Sequence, residues 1–149
     1  MRIKRPTERW FPMVGDPDNA KVLIKHLTPG DVQDISDESM PKQYQYDADE
    51  DGKLIPKMTV GVNTTVQREM TFKACVVGWE NFFDEEGNVL ECTPENVIRA
   101  SREIDGFNEF ITECQKTLAD DIKKEATVQE KNLLSSASEL QINPTAPSV

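Results

Sequence analysis

The sharpest chemical motif in the sequence is an acidic run, Asp47-Ala48-Asp49-Glu50-Asp51-Gly52-Lys53-Leu54. It matches the first eight positions of an EF-hand loop, in which acids at positions 1, 3 and 5 bind calcium and glycine at position 6 makes the turn. The rest of the loop departs from the motif, because Met58 stands where a bidentate glutamate belongs and Pro56 obstructs the exiting helix. We therefore expect an acidic turn without metal, and keep calcium as a minor alternative. Its ligands would be Asp47, Asp49 and Asp51.

Residues for catalysis are scarce. His26 is the one histidine of the sequence, and neither a G-x-S-x-G elbow nor a phosphate-binding G-x-x-x-x-G-K-[ST] loop occurs. We therefore expect no enzyme, no catalytic residue and no cofactor. The cysteines are odd in number and form no CxxC pair, which disfavours a disulfide framework or a zinc site and favours a reducing cytoplasm. We expect them to pack as small apolar side chains: Cys75, Cys92 and Cys114.

Charge and length exclude other classes of protein. The 149 residues carry 27 acidic and 17 basic side chains, a net charge of −10, and 37% of them are hydrophobic. Acidity argues against nucleic-acid binding, no apolar run is long enough for a membrane span, and the N-terminus lacks the apolar stretch of a secretory signal. Residues 1–9 are the exception to the acidity, since four basic side chains and Glu8 leave them at +3. We interpret this basic arm as a solvated terminus or as a segment that pairs with an acidic surface.

Local signals place the first elements. Trp10-Phe11-Pro12-Met13, the turn Asp16-Pro17-Asp18-Asn19 and the β-branched run from Lys21 to Leu27 together predict a hairpin. Thr28 as N-cap and proline at the next position predict a helix that ends near Ser39.

The middle of the chain is ambiguous. Residues 42–63 are polar and rich in turn residues, so we expect a long loop with at most a short hairpin about Asp51-Gly52. The apolar spacing of residues 66–77 suits a helix face and also a strand. The whole segment from Thr65 to Phe83 is long for a strand, and a helix is therefore our prediction.

The last third contains two predicted helices. A turn at Asp84–Asn88 and a short extended piece precede Thr93-Pro94-Glu95-Asn96, which repeats the cap-and-proline signal. Asp105-Gly106 ends that helix, and an apolar stripe predicts another from Phe107 to about Lys124. Polar residues 126–149 predict a mobile tail.

These elements predict an α+β fold that is mainly helical, with an N-terminal β-hairpin followed by a small bundle of about four helices. We expect a basic arm at 1–9, a single domain at 10–125 that contains the 42–63 loop, and the tail at 126–149. Aromatic side chains dominate both cores and binding interfaces, so those not used by the core are candidates for a partner surface.

The segment from Val76 to Leu90, VVGWENFFDEEGNVL, followed by Thr93-Pro94-Glu95-Asn96-Val97, resembles the tail assembly chaperones of tailed bacteriophages. Those proteins show a GW-x-x-x-x-D-E-x-G turn, a short apolar stretch and an [ST]-P-E-N helix start. The strand into Leu27-Thr28-Pro29-Gly30 and the helix Phe107–Leu118 are also similar to parts of that family. The resemblance covers residues 20–38 and 66–120, and the 42–63 loop and the basic arm lie outside it.

The resemblance implies an assembly factor without catalytic residues, which acts in the host cell cytoplasm. It would bind the tape measure protein, keep it soluble and help recruit tail tube subunits; the resemblance gives no oligomeric state. A holder of apolar helices needs an apolar groove with a charged rim. Our candidate groove walls are Trp79, Phe82, Phe83, Phe107, Phe110 and Ile111. A structural virion protein of the tail or connector, and a small bacterial adaptor or regulatory domain, stay open as alternatives.

Overall fold

The structure, a computed structural model, describes residues 1–40 and 42–142, with the side chains of 1–40, 46–56 and 61–135. Its elements, in chain order, are β1 (Glu8–Pro12), β2 (Lys21–Lys25), α1 (Pro29–Ser39), β3 (Lys42–Ala48), β4 (Leu54–Val60), α2 (Thr64–Cys75), β5 (Val76–Glu80), α3 (Pro94–Glu103) and α4 (Phe107–Ile142). Helices account for about 49% of the described residues and an antiparallel hairpin opens the chain, which confirms the predicted α+β, mainly helical fold. The chain divides into two compact units, Met1–Gln115 and a second that begins at Lys116.

The predicted N-terminal hairpin is present. β1 and β2 pair antiparallel, with Phe11 opposite Val22. The turn between the strands is held by Asp16, whose Oδ2 accepts a hydrogen bond from the Ala20 amide at 2.9 Å. Alternation along β2 buries Val22 and Ile24 completely, which makes this strand the centre of the sheet's core face.

The prediction of a single helix from Thr65 to Phe83 is wrong. α2 ends at Cys75, and Val76–Glu80 continues as β5, which pairs antiparallel with β2 and places Trp79 opposite Val22. The cause is non-local: the ladder with β2 satisfies the backbone of a β-branched stretch and turns Val76 and Trp79 toward the core. The sheet order is therefore β1-β2-β5.

The expected long loop at 42–63 is also corrected. Its backbone forms a second hairpin, in which β3 and β4 pair antiparallel from Lys42 opposite Val60 to Ala48 opposite Leu54. Asp49 closes the turn, because its Oδ1 accepts hydrogen bonds from the amides of Asp51 and Lys53 at 3.0 and 2.7 Å. These strands were not predicted because of the polar residues in this segment. A two-stranded ribbon can form its hydrogen-bond ladder without a continuous apolar face.

Both capped helices begin as predicted. Thr28 accepts from the Asp31 amide and Thr93 from the Asn96 amide, each at 3.2 Å, and proline occupies the first turn in both cases. The predicted end of the last helix near Lys124 is wrong, since α4 continues to Ile142. The added stretch contains no Gly or Pro, and the next proline is Pro144. Residues 143–149 of the predicted tail lie outside the described residues.

The core of the first unit joins the inner face of the sheet to the helices. Its fully buried side chains include Val22, Ile24, Phe72, Cys75, Val97, Phe107 and Ile111. The ring of Phe107 makes edge-to-face contacts with Phe72 and Phe82, both at 6.3 Å between centroids. A side-chain ion pair between Arg102 and Glu69 also links α3 to α2 at 2.6 Å. These contacts fix the position of α3 relative to the end of β5, which is where the candidate site lies.

Candidate functional site

The connection between β5 and α3 folds back on itself. The Leu90 amide donates to the Phe82 carbonyl at 2.8 Å, and the indole Nε1–H of Trp79 donates to the Leu90 carbonyl at 2.8 Å. An isolated β-bridge joins Phe83 to Val89. Both hydrogen bonds join residues of the short segment from Trp79 to Leu90, so they hold the connection between β5 and α3 in one conformation.

Asp84 organises the tip of this connection. Its Oδ1 accepts from the amides of Glu86 and Asn88 at 3.0 and 2.8 Å, and Gly87 has the positive φ of 85° that the turn requires. The hydrogen bond from the Asn88 backbone is the main cause that lowers the pKa of Asp84. The carboxylate is therefore ionised and occupied by the turn's own amides at neutral pH.

An apolar groove of about 320 Å³ lies between this turn and α3. Its apolar lining is Phe83, Leu90, Ala100 and Ile104, and its charged lining is Asp84, Glu85, Arg99 and Glu103. The Phe83 side chain is 43% exposed and that of Ile104 is 39% exposed. The volume lies at the low end of ligand pockets, so the groove suits one or two apolar side chains of a partner.

The charged rim of the groove is ordered by one arginine. Arg99 donates through Nε to Glu103 at 2.8 Å and through a terminal nitrogen to Glu85 at 3.1 Å. The hydrogen bond to Glu103 is the first cause that raises the pKa of Arg99. Because these side chains are exposed, the pairs contribute little to stability, but they place two acids and one base beside an apolar floor.

Four of the six predicted groove walls belong to the core. Trp79 and Phe82 are 8% and 5% exposed, and their rings stack with centroids 4.3 Å apart. Phe107 and Ile111 are completely buried. These four side chains are not accessible to a partner in this fold. They instead support the connection between β5 and α3 from the core.

The remaining two predicted walls differ from each other. Phe83 lies in the groove, and Phe110 is half-buried in the first turns of α4. Sequence reasoning missed Leu90, Ala100 and Ile104. Ile104 is the C-cap of α3, four residues after Ala100, and this spacing was the signal for a shared face.

The structure gives the calcium alternative no support. Asp47 lies in β3, and the Oδ1 of Asp49 is turned inward to the amides of its own turn. Within the part of the chain that the structure describes, no three His, Cys, Asp or Glu side chains are grouped to hold a metal ion.

The cysteines are placed for packing. Burial is the main cause that raises the pKa of Cys75 to about 12 and that of Cys114 to about 11. Cys92 is half-buried, and burial raises its pKa as well. At neutral pH these groups are thiols, the poorly nucleophilic form.

Comparison with models of protein families, with curated proteins and with solved structures finds no match. Among the described residues, no helix combines the length and the apolar character that crossing a bilayer requires.

Proposed function

We propose that this chain is a non-enzymatic tail assembly chaperone of a tailed bacteriophage, which binds the tape measure protein in the host cytoplasm and helps recruit tail tube subunits. The observation that carries the proposal is the apolar groove between the Phe83–Leu90 connection and α3. Four of its eight lining residues, Phe83, Asp84, Glu85 and Leu90, belong to the motif on which the sequence resemblance rests.

The motif residues divide into two roles, which supports a binding function. Trp79, Phe82 and Asp84 use their ring contacts and hydrogen bonds to hold the connection in place. Phe83 is left facing the groove although its neighbour is buried. An aromatic side chain kept at the surface by a rigid support is typical of a binding hot spot.

The chemistry of the groove fits an amphipathic helical client. Such a helix presents apolar side chains at spacings of three and four, and an apolar floor accepts one or two of them at a time. The rim of Glu85, Arg99 and Glu103 stays hydrated and can pair with charges that flank the client's apolar stripe. Several copies along a long client would then cover its stripe turn by turn.

The overall charge favours the same role. A net charge of −10 keeps a complex of chaperone and apolar client in solution and disfavours contacts with nucleic acid. Within the groove, Arg99 offsets part of the charge of its acidic neighbours.

Co-expression with fragments of the tape measure protein encoded by the same phage tests the proposal. The affinity-tagged chain should retain a helical tape measure fragment in the soluble fraction and co-purify with it. The double variant Phe83→Asp with Ile104→Asp places two charges on the apolar floor, and should weaken binding by about tenfold or more. Both side chains are partly exposed, so the fold survives the change.

A control is Val62→Asp, which introduces one carboxylate at an apolar side chain that is 52% exposed and does not line the groove. It should bind as the unchanged chain does. Equal binding by the folded groove variant would refute the groove as the client site, and no binding of any fragment by the unchanged chain would refute the chaperone function.

Particle composition separates the chaperone from a structural virion protein. Mass spectrometry of purified phage particles should not detect an assembly chaperone, whereas a tail or connector protein would be present in many copies. Detection at a stoichiometry similar to that of the tail tube protein would replace the proposed function by the structural one.

A further inference from the structure

The outer edge of β1 carries free backbone groups. Thr7 and His26 are joined by a backbone hydrogen bond, as are Met13 and Ala20, each at 2.8 Å. Since bonded and non-bonded pairs alternate in an antiparallel ladder, the amides of Glu8 and Trp10 point away from β2. Neither amide has a hydrogen-bond partner within the described residues.

Two prolines limit this edge to a short segment. Pro12 occupies the next outward position in β1, and Pro6 occupies the corresponding position just before the strand. Proline has no backbone N–H to donate. Prolines are common in edge strands, where they limit pairing with another chain. The edge therefore offers the donors of Glu8 and Trp10 between two positions without donors.

A large aromatic side chain lies on the solvent face beside this edge. Trp10 is 41% exposed and lies across the sheet, where an ideal Cβ on Gly78 would be 3.7 Å from its ring. The same Cβ would be 3.4 Å from that of Leu23, an ordinary van der Waals contact. The ammonium group of Lys21 lies 4.8 Å from the centroid of the Trp10 ring. A large aromatic side chain thus stays at the surface next to unpaired backbone groups.

We propose that β1 pairs antiparallel with β1 of a second copy of this chain, about a two-fold axis at Trp10. Trp10 then exchanges both backbone hydrogen bonds with the partner's Trp10, and the Glu8 amide donates to the carbonyl of the partner's Pro12. Every free donor of the edge is satisfied, and the two sheets become one. The contact is isologous, so it closes at the dimer.

Charge complementarity selects a second copy as the occupant. In this register two residues lie opposite one another when their numbers sum to twenty. The basic arm of one copy therefore runs toward the partner's turn that contains Asp16 and Asp18. Arg2, Lys4 and Arg5 make no ion pair among the described residues, and Asp18 is exposed. The positive arm of each copy therefore meets the negative turn of the other.

Like charges disfavour two alternative registers. An axis at Glu8 would bring the carboxylates of both copies together, and an axis at Arg9 would do the same for two guanidinium groups. An axis at Trp10 places Arg9 opposite the partner's Phe11 instead. The register with its axis at Trp10 is the one that the experiment tests.

Light scattering on the full chain during size-exclusion chromatography tests the dimer. The mass should rise with concentration from 16.9 kDa toward twice that value, and high salt should shift the rise to higher concentration. Trp10→Pro removes the central donor without affecting the bonds to β2, and should leave a folded monomer. Trp10→Thr is the control, since it removes the ring and retains the donor, and should still dimerise. A strictly monomeric unchanged chain, or a dimer that Trp10→Pro does not weaken, would overturn the proposal.

Cysteine cross-linking tests the register even if Trp10→Pro fails to fold. In a Cys92→Ser background, Trp10→Cys places two thiols across the axis at the roughly 5.5 Å Cα separation of a bonded pair, within disulfide reach. Glu8→Cys is the control, because its copies would be about 14 Å apart at about 3.4 Å per residue. Rapid oxidation to dimer of the first variant alone is expected. Equal cross-linking of both variants, or of neither, contradicts the register.

The arm is tested by a charge exchange between chains. Arg2→Glu with Lys4→Glu should weaken the dimer by about tenfold, and mixing that chain with Asp18→Lys should restore association between the two. If the mixed chains associate no better than the double variant alone, the charge pairing is refuted.

Discussion

The indole ring of Trp79 stacks on the phenyl ring of Phe82, with centroids 4.3 Å apart and planes 13° from parallel. Phe82 in turn meets the edge of Phe107, so these rings connect β5, the connection after it and α4. Asn81, between the two stacked residues, has a positive φ of 64°, which is what turns the chain back so that the rings can meet.

Removing the Phe82 ring should therefore destabilise the fold strongly. Phe82→Ala leaves a cavity beneath the groove and should lower the free energy of unfolding by about 3–5 kcal/mol, measured by urea denaturation. Phe83→Ala is the control on the adjacent, exposed ring, and should cost about 1 kcal/mol or less. Similar losses from both changes would contradict the assignment of one ring to the core and the other to the groove.

Alkylation rates should separate the cysteines. In the native protein at pH 8, iodoacetamide should modify Cys92 first, because it is only half-buried, while Cys75 and Cys114 react on unfolding. Peptide mass spectrometry after timed quenching gives the order. A Cys92→Ser chain serves as control and should incorporate almost no label before it unfolds. Fast labelling of Cys75 in that chain would contradict its burial.

The same burial predicts a loss of stability in alkali. The fold favours neutral thiols, with pKa values of about 12 for Cys75 and about 11 for Cys114, whereas the unfolded chain ionises them near the ordinary value of 9.0. The stabilisation is thus complete below pH 9 and is lost as the pH rises toward the folded pKa values. Urea denaturation from pH 7 to 10.5 should show the decline, and Cys75→Ala should show less of it.

Local chemistry made the first turn and the starts of α1 and α3 predictable. Asp16 in the first turn, and Thr28 and Thr93 as caps, act on amides a few residues away, so their types and positions alone identify the structure. The second hairpin and the switch from α2 to β5 depend on pairing between distant segments. Residues 66–77 suit both periods, and contact with β2 is what makes a strand of the part from Val76 onward.

The candidate site shows the same division. Phe83 was predicted because aromatic residues cluster in its segment, whereas Ile104 was not, since its role depends on where the Asp84 turn meets α3. The contact between this turn and α3 includes the hydrogen bond from Arg99 to Glu85, which are fourteen residues apart in sequence and 3.1 Å apart in space. Four of the six predicted walls are core residues because composition does not tell a supporting ring from an exposed one.

The start of α1 should be sensitive to acid. Asp31 accepts a hydrogen bond from the Thr28 amide at 3.0 Å and pairs with Lys25 at 3.0 Å, and the Thr28 bond is the main cause that lowers its pKa. A lowered pKa means that this stabilisation is present above the ordinary value of 3.8 and is lost as the pH falls through the folded value. Asp31→Asn should cost about 1 kcal/mol or less at pH 7 and flatten the stability profile below pH 5.

Asp34→Asn is the control for that profile, since the exposed Asp34 lies on the same helix and makes no ion pair among the described residues. Thermal unfolding followed by circular dichroism from pH 7 to 3 measures both variants. A profile flattened equally by the two changes would show that general charge, and not the cap, sets the acid sensitivity.

The turn that shapes the groove should depend on glycine at one position. Gly87 has φ 85°, a region in which an added Cβ is strained, although no atom lies within 4 Å of that Cβ. Gly87→Ala should therefore destabilise the chain by about 1–2 kcal/mol through backbone strain alone. Gly61→Ala, equally open but without a positive φ, should be neutral or stabilising by up to about 1 kcal/mol. Gly87→Asn should fall between them, because asparagine adopts positive φ more readily. If urea denaturation gives the two alanine variants equal stability, the turn has another backbone conformation, and the groove beside it another shape.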